Sequence, residues 1–199
     1  MTITQPAYAP PPPAGYQPAY PFRYPKVLLQ LAGLLLLAVA VPPLIWLTWS
    51  VQRLPDEGRI VLMPLDLMLL LVAAPLTIVV HELIHGLAFR AFGYRVTYGV
   101  AWHLGAAYAG AFGQFQRRRH MFVVALAPLL ALTAVCLPLL AAPNRAVVIV
   151  AFMVLVLNTG GAVGDLYLVW RLLRLPRTTL LYDVDTNNMF IFEPARSAN

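Results

Sequence analysis

Charged side chains make up only 11% of the 199 residues, against about 25% in an ordinary soluble domain, while 60% are hydrophobic, against about 45–50%. So little charge excludes a soluble globular domain and points to a membrane. Cysteine is nearly absent as well: Cys136 stands alone, which rules out an intrachain disulfide and leaves it as a small apolar residue of a third helix. The first 22 residues carry no charge and no short apolar core ahead of a small-residue cleavage site. No cleavable signal peptide is therefore expected, and the first apolar stretch should remain a membrane helix. No internal repeat is evident.

What is present is a set of long apolar runs. Val27–Ser50, Met121–Asn144 and the slightly short Ala146–Gly164 contain no Asp, Glu, Lys, Arg or His. Each is close to the ~20 helical residues that cross a hydrocarbon core of ~30 Å. A fourth run, Ile60–Val80, includes Asp66 and leads straight into a His-Glu pair. Four spans are expected, centred near residues 38, 75, 132 and 157.

The net charge of +6 could suggest nucleic acid, but the basic residues lie beside the span ends and not along one polar face, so no nucleic-acid partner is expected. With four spans, 11 basic residues (Arg23, Lys26, Arg90, Arg95, Arg117, Arg118, Arg119, Arg171, Arg174, Arg177 and Arg196) fall on one side and 3 (Arg53, Arg59 and Arg145) on the other. The positive-inside rule then places both termini in the cytoplasm. Residues 1–25, with eight prolines and four tyrosines, read as a Pro-rich, extended or disordered tail. Residues 26–176 form the membrane domain, and 177–199 a cytoplasmic tail. Val96, Tyr98, Val100 and Trp102 alternate at period two, a strand or hairpin against the membrane face and a candidate edge for holding an extended substrate. Leu180–Val184 and Met189–Ile191 flank the turn-forming Asp185-Thr186-Asn187-Asn188, which suggests a second hairpin.

The chemistry is concentrated in His81-Glu82-Leu83-Ile84-His85. Histidines four apart project from one helix face and can share a metal ion, while Glu82, next to the first, reaches the metal's water without being a ligand. Zinc lowers the pKa of that water to about 7 and a carboxylate accepts its proton, which is what peptide hydrolysis requires. Zinc is the default ion for two imidazoles and a carboxylate. Ionisable groups at the end of an apolar run are costly to insert and mark function.

A third ligand is needed, and the candidates are His103, His120, Asp165, Asp183, Asp185 and Glu193. Spans two and four run in the same direction, with His85 five residues before Arg90 and Asp165 six before Arg171, so Asp165 falls at nearly the depth of His85. Gly160 and Gly164 form a G-x-x-x-G pattern suited to close helix approach. Asn158, seven residues before Asp165 and on the same face, could bind the substrate backbone, steady an oxyanion or make a polar interhelical contact. Asp66 reads as an interfacial carboxylate, and His103 and His120 as surface or interfacial histidines.

His81-Glu82-Leu83-Ile84-His85-Gly86, Ala127-Pro128-Leu129, and Gly164-Asp165 followed by Tyr182-Asp183 resemble the family of putative zincin peptidases, itself similar to the site-2 intramembrane metalloproteases. The resemblance runs from about Pro75 to Glu193. It implies a zinc-dependent intramembrane endopeptidase with His81, His85 and Asp165 as ligands and Glu82 as catalytic base. The aspartate departs from the site-2 pattern: it is preceded by Gly164 and followed by Leu166, where those proteases have glycine after it. The fold expected is an all-α membrane domain of four transmembrane helices with a small cytoplasmic hairpin-like insertion and tail. Its expected partners are the lipid bilayer and a membrane-protein or peptide substrate. The alternatives are a non-catalytic zinc-binding relative, or a small transporter or proton relay using Asp66, Glu82 and Asp165.

Overall fold

The structure, a computed structural model, describes residues 9–53, 63–101, 106–186 and 188–195. Its elements in chain order are β1 (Tyr20–Phe22), α1 (Lys26–Gln52), α2 (Pro64–Ala91), β2 (Thr97–Ala101), β3 (Ala106–Gly110) and β4 (Phe115–Arg117). There follow α3 (Arg118–Leu139), α4 (Arg145–Gly161), α5 (Val163–Leu173), β5 (Leu180–Asp183) and β6 (Met189–Phe192). The expected residues Trp102 and His103, Arg59, Asn187 and Arg196 lie outside the described residues, as does the start of the Pro-rich tail.

α1, α2 and α3 are long and apolar enough to cross a membrane, and α4 with α5 makes a fourth if the pair, bent by 43°, is one span. Leu71, Val27 and Trp46 expose 70% or more of their surface, and many neighbouring leucines and valines over half. An apolar surface that wide fits hydrocarbon and not water. The single fourth helix expected from the sequence breaks at Ala162, directly after Gly160-Gly161, a pair that lets a helix kink. Asp165 thereby falls in the first turn of α5.

α2 and α4 lie side by side, and their buried residues explain the register. Asp66, Ala73, Thr77, His81 and His85 form one stripe on α2, and Val148, Ala151, Leu155 and Asn158 one stripe on α4. At the start of both helices Asp66 accepts from the Met63 N–H at 2.8 Å and from Arg145 Nη2 at 2.7 Å. With 15 residues from Asp66 to His81 and 13 from Arg145 to Asn158, each rising ~1.5 Å, the two helices bring His81 and Asn158 to matching heights. Asp66 thus sets the start of the helix pair. α4 is capped by Asn144, whose Oδ1 accepts from Ala146 N–H at 2.9 Å.

The expected G-x-x-x-G contact between helices two and four is not what the glycines make. A Cβ on Gly160 would press on Leu37 of α1, Gly33 of α1 lies against Val163, and Gly164 faces open space. The small residues serve the α1 side, and the bend delivers Asp165.

Two antiparallel sheets lie at one end of the bundle. β2 pairs with β3, as the period-two alternation suggested, and a four-stranded sheet has the order β1-β6-β5-β4. The β5–β6 hairpin matches expectation, with Leu181 opposite Ile191, both fully buried, and Asp185 Oδ1 accepting from Asn188 N–H at 3.0 Å across the turn. The Pro-rich tail is not wholly unstructured: β1 pairs with β6. Its aromatics anchor it, through Phe22, only 4% exposed, and through Tyr20 and Tyr16, whose hydroxyls donate to Glu193 Oε1 at 2.6 Å and to the Thr178 carbonyl at 2.9 Å. Pro21 suits an edge strand, where no donor is needed on the open side. A core of Phe22, Phe89, Met121, Val124, Leu168, Leu172, Leu181 and Ile191 joins the sheet to α2, α3 and α5. Cys136 sits in a second core at the other end, with Leu140, Ala151 and Leu155.

Candidate metal centre

The site is built where α2, α3, α4 and α5 meet. His81 and His85 stand one turn apart on α2, their rings edge to face at 4.9 Å. Asp165, at the bend, places Oδ2 3.3 Å from His81 Nε2 and 3.4 Å from His85 Nε2. A tetrahedral zinc with bonds of ~2.0–2.1 Å has edges of about 3.3–3.4 Å between its ligand atoms. Both spacings match that edge and exceed a good N–H···O hydrogen bond.

The far side of each imidazole is held in a way that fits a metal. His81 Nδ1 donates to Asn158 Oδ1 at 3.0 Å, and His85 Nδ1 donates to the Val124 carbonyl at 2.9 Å. A backbone carbonyl can only accept, so Nδ1 of His85 carries a proton, and Nε2, turned to Asp165, is the nitrogen left to bind an ion. Ligating histidines are fixed in this manner by partners behind them. Among the described residues His81, His85 and Asp165 are the group able to hold one ion, with their ligand atoms all within 4.8 Å of one another.

Glu82 is half-buried beside this group, and its Oε2 accepts from the Ala109 N–H at 2.8 Å. That bond ties β3 to the metal helix and leaves Oε1 without a bond to the strand. It also fixes the ladder. Ala109 opposes Tyr98, and a strand N–H turned outward belongs to a pair that does not exchange hydrogen bonds. Thr97 with Gly110, and Gly99 with Tyr108, are then the bonded pairs, and the outward groups of β3 are those of Ala107 and Ala109. The strand presented to Glu82 is therefore β3, where the sequence pointed to the Val96–Trp102 strand.

Two glycines set the hairpin's place. A Cβ on Gly86 would collide with the Tyr98 ring, so the bare residue after the His-Glu-x-x-His run lets that ring of β2 lie directly on α2. Gly93, at φ +82°, ends α2. Its N–H bonds the Arg90 carbonyl at 2.9 Å and Tyr94 N–H the Phe89 carbonyl at 3.1 Å, while the Phe89 and Tyr94 rings meet at 6.0 Å. That is a Schellman stop, which turns the chain back toward the site.

The other candidates lie elsewhere. His120 Nδ1 shares a hydrogen bond with the Tyr94 hydroxyl at 2.9 Å and its ring stacks on Phe92 at 4.1 Å, so it is not part of the ligand group. Asp183 is held by Gln116 Nε2 at 2.9 Å in the sheet, and burial pushes its carboxyl up to about 6. Glu193 binds Tyr20 and Asp185 caps its turn. Asp66 is paired at the far end of α2 and shares no hydrogen bond with Glu82. Val124 was not foreseen as a contributor, because only its backbone takes part.

A helix bearing His-Glu-x-x-His, with an aspartate from a neighbouring helix beside it, is a zincin-like arrangement able to hold a metal ion. The chain belongs to the family described as "Putative zincin peptidase", which it matches over residues 74–180, more than half its length. That span contains both histidines, Glu82, the β2–β3 hairpin, Asn158 and Asp165. No curated protein and no solved structure matches the chain.

Proposed function

We propose that the protein is a zinc-dependent intramembrane endopeptidase, similar to site-2 proteases, that hydrolyses peptide bonds in or near transmembrane segments of membrane-protein substrates. The observation that carries this reading is the convergence of two tautomer-fixed imidazoles and Asp165 Oδ2, at tetrahedral-edge spacing, beside a carboxylate that is not among them. The setting is the cell membrane, with four spans and both termini cytoplasmic, supported by the 11-to-3 division of basic residues.

His81, His85 and Asp165 would hold the ion, and zinc bound there supplies Lewis acidity and a water acidified to a pKa near 7. Glu82, steadied through Oε2 by Ala109, takes a proton from the attacking water on Oε1 and returns it to the departing amine nitrogen as the C–N bond breaks. An extended substrate pairs with the outward backbone groups of β3 that the bond to Glu82 leaves over, the N–H and carbonyl of Ala107 and the carbonyl of Ala109. Strand pairing presents an unwound peptide bond, which a helix would shield.

Glu82→Gln tests the mechanism. It keeps size and the bond from Ala109 but removes the proton acceptor. Zinc should stay at wild-type content while cleavage of a co-expressed membrane substrate falls by ~10²–10⁴-fold. Undiminished cleavage refutes the mechanism, and loss of zinc would make Glu82 a ligand.

A further inference from the structure

Ala127-Pro128-Leu129 supplies no ligand, yet it lies on the stretch of α3 that touches the partners of both histidines. In a regular helix the N–H of residue 128 donates to the carbonyl of residue 124. Proline has no N–H, so the Val124 carbonyl is released, at a position where Val124 and Pro128 are both almost fully buried. A buried carbonyl without a donor is costly, all the more in hydrocarbon. The donor that reaches it is His85 Nδ1. One turn on, the Pro128 and Leu129 carbonyls receive Asn158 Nδ2 at 3.4 and 3.3 Å, and Asn158 Oδ1 holds His81.

We propose that Pro128 is a positioning residue of the metal site. By withholding an N–H it reserves the Val124 carbonyl for His85, which locks that imidazole as the Nδ1–H tautomer with Nε2 turned to the ion. The role rests on the zinc reading of the site. The same helix contains its own control, because Pro138 releases the carbonyl of Ala134, ten residues from Val124.

Pro128→Ala restores an N–H that competes with His85 for the carbonyl. An interior helix gains stability when proline is replaced by alanine, so a loss of metal would not trace to helix damage. Wild type, Pro128→Ala and Pro138→Ala are purified as full chains in detergent. Zinc affinity is measured by chelator competition, and the imidazole N–H proton resonances of His81 and His85 are recorded on the same samples. Pro128→Ala should weaken zinc by about 10–100-fold, the usual effect of losing such a partner. The His85 Nδ1–H resonance should move upfield while that of His81 holds, and Pro138→Ala should change neither. Zinc binding by Pro128→Ala equal to wild type overturns this role and leaves the zinc site standing. A wild-type protein that takes no zinc refutes the metal site itself. If Pro128→Ala does not accumulate, the wild-type spectrum decides: a zinc-loaded His85 without a protected Nδ1–H refutes the role, and its presence supports it.

Discussion

Replacing Asn158 distinguishes a partner of the metal ligand from a group that touches substrate. Asn158 is 1% exposed and offers Oδ1 to His81 Nδ1 at 3.0 Å, whereas its Nδ2 contacts, at 3.3 and 3.4 Å, are at the weak end of the hydrogen-bond range. Asn158→Leu keeps the volume and removes the acceptor, leaving a buried imidazole N–H without a partner. That omission costs about 1–3 kcal/mol. Lost partners of this kind weaken metal binding by about 10–100-fold, or roughly 1.4–2.7 kcal/mol. The two ranges overlap, so a rise of that size in the zinc dissociation constant is expected. The Pro128 and Leu129 carbonyls keep their own helix donors, and the fold should survive. Asn158→Asp retains an acceptor and should hold zinc close to wild type. Zinc competition against a chelator and steady-state cleavage are measured on each variant. Unchanged zinc affinity with a raised KM would refute the reasoning and make Asn158 a substrate-binding residue.

Single cysteines introduced after replacing Cys136 should be labelled from the cytoplasmic side at Arg23, Arg118 and Arg177 and from outside at Arg53; an outside label at Arg118 reverses the orientation. Gly86→Ala pushes the Tyr98 ring off α2, an overpacking worth about 1–3 kcal/mol. Its thermal midpoint and cleavage should fall with zinc retained, and an unchanged midpoint would mean that the hairpin docks elsewhere. Asp183, raised by burial from 3.8 to about 6, binds a proton more readily folded than unfolded. Its contribution is therefore full below pH ~4 and is lost as pH rises through ~6, by about 3 kcal/mol at most. Relative to Asp183→Asn, wild type should lose thermal stability between pH 4 and 7 in detergent, and parallel profiles would refute the shift.

The cluster of His81, His85 and Asp165 was legible because its residues announce themselves by type and spacing, the histidines by a four-residue interval and Asp165 by its distance from the basic belt. Long apolar runs likewise gave the helices. What escaped was carried by backbone and by bends. The break at Ala162 needs only two glycines in an apolar run, a pattern that helix packing also produces. The involvement of Val124 depends on an N–H missing four residues away. The strand in the Pro-rich tail was hidden because prolines dominate its composition, while the tyrosine hydroxyls and Phe22 that hold it contribute to a partner 160 residues and more away in sequence. Whether β2 or β3 faces Glu82 is a matter of register, which period-two alternation does not contain.

The four-stranded sheet has a consequence for counting. β1 precedes α1, β4 falls between α2 and α3, and β5 and β6 follow α5, yet all four share one ladder. A backbone ladder is not shared through a hydrocarbon layer. For helices that cross a bilayer, a chain leaving the sheet through α1 has to return before β4, and one leaving through α3 has to return before β5. Crossings then come in pairs, α1 with α2 and α3 with the bent α4–α5. This parity is independent of every arginine in the chain. Reversing the basic residues could invert the protein as a whole, but labels at residues 23 and 177 should still report the same compartment.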